Sequence, residues 1–94
     1  MEPFCLADFG HTFATRGRGA QLRAEILATA TARGIPIVID FARVTHVSYS
    51  FADEFVGKLA AEYDHEGLEL LNLDRAVADV VDRAVETRTR SAIS

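Results

Sequence analysis

The spacing of apolar residues changes character in the middle of this 94-residue chain. Ile37, Val38, Ile39 and Phe41 form a β-branched and aromatic run headed by Pro36. Such a run predicts a central strand covered on both faces. After a polar interval, Phe51, Phe55, Val56, Leu59 and Tyr63 recur at three and four. That spacing predicts a helix from about Phe51 to Asp64. Ser50, with Asp53 three residues on, fits a capping box and is the expected N-cap. Gly57 inside this helix costs up to ~1 kcal/mol against Ala, which close packing on the sheet would explain. Loops leaving the carboxyl ends of strands commonly carry function in open α/β sheets, so Ser48–Phe55 is the expected site.

The flanking segments complete the pattern. Glu2–Ala7 and His11–Ala14 predict a hairpin of two short strands turning at Asp8, Phe9 and Gly10. Thr15, Arg16, Gly17, Arg18 and Gly19 read as a flexible basic loop. Ala20–Arg33 predicts a helix with Leu22, Ile26, Leu27 and Ala30 inward, Arg23 and Glu25 directed elsewhere, and Gly34 as C-terminal cap. His65, Glu66 and Gly67 end the second helix. Leu68–Leu73 predicts a strand. Asp74 caps a third helix, Arg75 to about Arg88, with Val77, Val80, Val81, Ala84 and Val85 inward. Residues 89–94 read as a frayed tail. The order is β-β-α-β-α-β-α. It implies a single α/β domain over residues 1–94, a mixed four-stranded sheet packed with three helices.

Composition narrows the class. Hydrophobic content of 49% with 26% charged residues is globular. A chain this short holds one core. Net charge is −4 and uneven. Residues 1–47 carry five arginines against four acids, a net +1; residues 48–94 carry five cations against ten acids, a net −5. An acidic second half argues against nucleic acid as a partner. No apolar run approaches the ~20 residues of a membrane helix. Met1, Glu2, Pro3 and Phe4 lack a signal-peptide pattern, so a cytoplasmic location is expected. Cys5 is the sole cysteine and allows neither an internal disulfide nor a cysteine metal cluster.

Candidate chemistry is sparse. His11, His46 and His65 have no metal-ligand spacing, and His46 beside the serines lacks a third residue to orient it. Asp53 and Glu54 are adjacent, about 100° apart on a helix, and do not make an acid–base pair. No enzyme activity, metal or cofactor is expected. Arg16 and Arg18 with Gly17 and Gly19, after Thr15 and before a helix, suit an anion. The Lys-Ser/Thr ending of a phosphate loop is missing. Arg16 bonding Asp40 or Asp53 is an equal reading. Ser50 is either a phosphoacceptor or a plain cap worth ~1 kcal/mol, and Asp53 and Glu54 nearby would oppose a phosphate. Tyr49 is a packed aromatic or a contact surface.

Ile39-Asp40-Phe41, then Val44-Thr45-His46-Val47, then Ser48 and Ser50 at a helix start resemble the anti-sigma-factor-antagonist (STAS) pattern. That pattern runs Leu-Asp-Leu, Val-Thr-Phe-Ile, Asp-Ser-Ser-Gly. More narrowly, Ser50-Phe51-Ala52-Asp53-Glu54 resembles a STAS-like bacterial family of unknown function. Its Thr-Arg and Gly before the first helix match Thr15-Arg16 and Gly19, and its Asn after a late strand matches Asn72. The resemblance implies a non-enzymatic module whose helix-start serine is phosphorylated by a cognate kinase that is also the anti-sigma factor. That serine falls at Ser50. Ser48 takes the acidic position and is a second phosphoacceptor candidate; Tyr49 takes the first serine and Phe51 the glycine. The bulky Phe51 either blocks docking or faces the core. The implied partner is a histidine-kinase-like ATPase meeting Ser48–Phe55, with Tyr49, Phe51, Asp53 and Glu54 as contacts. A homodimer through the same face is a further expectation. A small anion or nucleotide sensor using Thr15–Gly19 is the alternative.

Overall fold

The computed structural model describes residues 3–33, 37–63 and 67–93. Gly34, Pro36, Asp64, His65 and Glu66 lie outside the described residues, as do Glu2 and Ser94. The elements are strand β1 (Phe4–Cys5), a 3₁₀ turn (Leu6–Phe9), β2 (Thr12–Phe13), helix α1 (Arg16–Arg33), β3 (Ile37–Asp40) and β4 (His46–Val47). A helical rod follows as α2 (Tyr49–Ala52), a π-helical turn (Asp53–Gly57) and α3 (Lys58–Glu62). Strand β5 (Leu68–Leu71) and helix α4 (Arg75–Ile93) complete the order.

The α/β class and the helix pattern match the expectation, but the sheet differs. Among the described residues, five short strands form two sheets, β1-β3-β5 and β2-β4, and every pairing is parallel. The expected hairpin does not form. Leu6 is driven fully into the core, and the chain closes a 3₁₀ turn ending at Gly10 (φ 141°). That turn shifts the chain sideways, so β1 joins β3 while β2 joins β4. Phe4 and Phe9 stack at 5.3 Å across it. The β2–β4 pair is extended by Thr45 N–H to His11 O (2.9 Å) and Ser48 N–H to Phe13 O (2.9 Å).

Strand β3 is central in its sheet, and its two faces are covered unequally. Ile37 and Ile39 are buried while Val38 and Asp40 are half-buried, an alternation in which one face is more deeply packed than the other. Parallel register sets Phe4, Ile39 and Leu70 side by side on the more deeply packed face. Strand β5 stops at Leu71, short of Leu73, because Asn72 turns left-handed (φ 59°). Asp74 caps α4 as expected, accepting from Ala76 N–H at 3.1 Å. The helix then runs to Ile93, so the expected tail is helical through that residue.

Helix α1 begins at Arg16, four residues earlier than expected. Thr15 Oγ1 accepts from Arg18 N–H at 3.2 Å, which ties down the first turn of what read as a loop. Phe13, Phe51 and Phe55 form a ring chain with centroids 4.9 and 5.5 Å apart, joining β2 to the rod. One core cluster gathers Leu22 and Ile26 of α1, Ile37 and Ile39 of β3, the rod's Phe51–Leu59 face, and Val77, Val81 and Ala84 of α4.

Candidate functional site

The rod starts where β4 ends. Ser48, not Ser50, is the N-cap: its backbone is extended (φ −77°, ψ 159°) and its Oγ accepts from Phe51 N–H at 3.1 Å. The same hydroxyl donates to Ala14 O at 2.9 Å. This second bond, to the end of β2, decides between the two serines. Ser50 instead sits in the first turn, exposed, and its hydroxyl has no partner among the described residues. Tyr49 is 38% exposed and is the one large exposed apolar side chain among the described residues.

Of the other expected contact residues, none faces outward. Phe51 is fully buried, so its bulk packs the core and leaves the surface free. Asp53 and Glu54 are each 7% exposed and lie within a ring of cations. The π turn carries an i→i+5 ladder, which is wider than an α-turn and reduces the angular step between neighbours. Both acids therefore reach one guanidinium: Arg16 Nη1 donates to Asp53 Oδ2 at 2.8 Å and to Glu54 Oε1 at 3.1 Å. Of the two readings for Arg16, Asp53 is the carboxylate it bonds, and Asp40 is not.

Each acid has further partners. Arg88 of α4 holds Asp53 through two bonds, Nε to Oδ1 at 2.6 Å and Nη2 to Oδ2 at 2.9 Å. Lys58 Nζ reaches Glu54 Oε2 at 2.8 Å, and Arg23 Nη2 reaches the same oxygen at 3.0 Å. Arg23 Nε also donates to Glu54 O at 2.9 Å, so Arg23 faces the rod, contrary to expectation. The Arg88 bidentate contact, then Arg16, holds the Asp53 carboxyl down to about 2 against the opposing effect of burial. Lys58, then Arg16 and Arg23, hold Glu54 at about 2 in the same way. Four cations thus surround two carboxylates, a local excess of two positive charges.

Two glycines let the helices close on this cluster. A Cβ on Gly19 would lie 2.9 Å from Phe51 O and 3.1 Å from Glu54 Cβ. A Cβ on Gly57 would lie 3.0 Å from Arg88 Cγ and 3.3 Å from Ala84 O, so this glycine admits α4, not the sheet. The stripe Arg16, Gly19, Arg23 on α1 was the signal for the cluster; Arg88 had none beyond its place near a helix end.

The remaining anion candidates are placed as follows. Thr15 caps α1. Gly17 faces open space. Arg18 lies over the Phe9 ring at 5.8 Å and donates to Phe9 O and Gln21 Oε1. At the sheet's carboxyl end, Asp40 Oδ1 accepts from Asn72 Nδ2 (3.0 Å) and Ala42 N–H (2.9 Å), which lowers its pKa and latches β3 to β5. His11 Nδ1 donates to Arg43 O at 3.0 Å, and His46 is exposed. Among the described residues, no three His, Cys, Asp or Glu side chains converge as a metal site. No helix among them is long and apolar enough to cross a membrane.

No curated protein and no solved structure matches the chain. The family model for a STAS-like domain of unknown function matches residues 18–78, which include the rod, Arg23, Asp40 and Asn72. That match spans well over half of the sequence, and the chain belongs to the family of STAS-like domains of unknown function.

Proposed function

We propose that this protein is a non-enzymatic interaction module resembling an anti-sigma-factor antagonist. It docks a partner protein through the start of the rod, centred on Tyr49 and Ser50, and phosphorylation of Ser50 sets the affinity. The observation that carries this reading is the division of labour between two serines. Ser48 is committed to capping, with its hydroxyl bonded in both directions. Ser50 is exposed two residues further on, its hydroxyl without a partner among the described residues. A kinase needs the second kind of serine.

Electrostatics favour the same position. Asp53 and Glu54 no longer repel a phosphate once four cations outnumber them. In the transfer, Ser50 Oγ forms a bond to the γ-phosphorus of ATP, the bond to the ADP oxygen breaks, and the hydroxyl proton leaves. The new group adds about −1.5 to −2 charges beside Tyr49, enough to reset a docking face. The partner this implies is a histidine-kinase-like ATPase that both binds and modifies the face.

The test uses full-length Ser50→Ala and Ser50→Glu proteins, each immobilised and exposed to extract of the native cells. Recovery of one shared protein in clearly different amounts supports the reading. Equal recovery by both variants overturns it.

A further inference from the structure

The switch proposed above names Ser50 but not what receives its phosphate. We infer that Arg16 is the arm that captures a phosphate on Ser50, leaving Asp53 to Arg88 and Glu54 to Arg23 and Lys58. This inference rests on Ser50 being the modified residue.

Register places the two residues together. Ala14 lies beside Ser48 through a 2.9 Å hydrogen bond, and Gly19 lies against Phe51, Glu54 and Phe55. Helix α1 and the rod therefore run side by side in the same direction at this end. Arg16 falls between those two contacts, level with Ser50. Ser50 in turn precedes Asp53 and Glu54 by three and four residues, on the same side of the rod and about one turn away. The guanidinium that now rests between the two acids has to move about that one turn, ~5 Å, along a surface it already lines.

Arg16 is also the cation the cluster can release. It is 49% exposed at its side chain, the most of the four. Asp53 keeps two bonds from Arg88 after it leaves, and Glu54 keeps Arg23 and Lys58. No carboxylate is stranded. The charge count agrees, since the excess of two positive charges matches a phosphate of about −2. An arginine also suits a phosphate better than the single carboxylate oxygens it now touches, because its planar fork donates two parallel bonds. The result is an exchange: the Arg16 side chain leaves the π turn and ties the first turn of α1 to the start of α2, and the face offered to a partner changes with it.

The experiment installs phosphoserine at position 50 of the full chain during translation and follows its phosphorus resonance through a pH titration. An exposed phosphoserine titrates near pH 6. The expected midpoint lies below that in the parent and rises in Arg16→Gln, while Arg18→Gln, which removes a cation on the same turn, leaves it unshifted. Equal midpoints in the parent and Arg16→Gln overturn the inference. Should Arg16→Gln fail to fold, the Arg16 Nε–H resonance is compared in phosphorylated and unmodified parent protein: a clear displacement supports the exchange and an unmoved signal overturns it. Because the phosphate is installed and not acquired from a kinase, failure here removes Arg16 and leaves Ser50 standing. A Ser50 that never carries phosphate in cells would fail separately.

Discussion

Arg88 and Asp53 are 35 residues apart in sequence, yet the arginine grips both carboxylate oxygens, at 2.6 and 2.9 Å. This contact ties α4 to the π turn at the point where Gly57 brings the two backbones close. Asp53 is nearly buried, and losing Arg88 leaves its charge with the single bond from Arg16. Arg88→Ala should therefore cost roughly 1–3 kcal/mol, with the buried-pair value discounted for the partly exposed arginine. Arg16→Gln should cost less than Arg88→Ala, because Arg16 is exposed and both acids keep other partners. Urea denaturation of the two variants checks the order.

Acid should loosen the same cluster. Asp53 and Glu54 titrate near 2 when folded, against ordinary values of 3.8 and 4.5. A depressed folded pKa contributes stability that is complete above the unfolded value and lost as pH falls through the folded one. The urea midpoint should hold steady down to about pH 5 and then drop toward pH 2. Asp53→Asn and Glu54→Gln should each be less stable at neutral pH and show a shallower acid decline. A parent midpoint that stays flat to pH 2 would contradict these pairings.

Three glycines give opposite expectations from one substitution. Gly17→Ala, in the first turn of α1 with open space around it, should stabilise by up to ~1 kcal/mol through helix propensity and reduced unfolded-state entropy. Gly19→Ala meets backbone at 2.9 Å and should destabilise by about 1–3 kcal/mol. Gly57→Ala meets Ala84 O and the Arg88 stem, which is anchored at Asp53, and should also destabilise. Thermal melting of the three variants reads the signs directly.

The serines separate in the same way. Ser48→Ala removes the cap and the bond to Ala14 O and should cost about 1–2 kcal/mol. Ser50→Ala should lie within ~0.5 kcal/mol of the parent, as surface substitutions do. Equal losses in both would mean that Ser50 has a structural role the present geometry lacks.

How far the sequence reveals this arrangement depends on what each feature needs. Helical periodicity is local, and Val77, Val81 and Ala84 of α4 lie inward as their spacing predicts. Strand partners are not local. An apolar segment such as Phe4–Ala7 reads the same whether it pairs with its neighbour or, as here, passes Leu6 into the core through a 3₁₀ turn. Spacing to Asp53 points to Ser50 as the cap, and the structure puts it at Ser48, because Ser48 also bonds Ala14 O, 34 residues away, a contact that local spacing does not carry. Arg16 with Asp53 was a readable pair because both lie beside expected helix starts. Arg88 was not, because its approach depends on Gly57 and on the wider turn that aims Asp53 at α4.

The most direct test of the switch is the intact mass of the protein from its own cells, before and after phosphatase, with peptide mapping across Arg43–Lys58. A phosphatase-sensitive mass increase of one phosphate, mapped to Ser50 and not to Ser48, is the result this account predicts. An unmodified mass under every growth condition sampled would contradict it and reduce Ser50 to an ordinary surface residue of the rod.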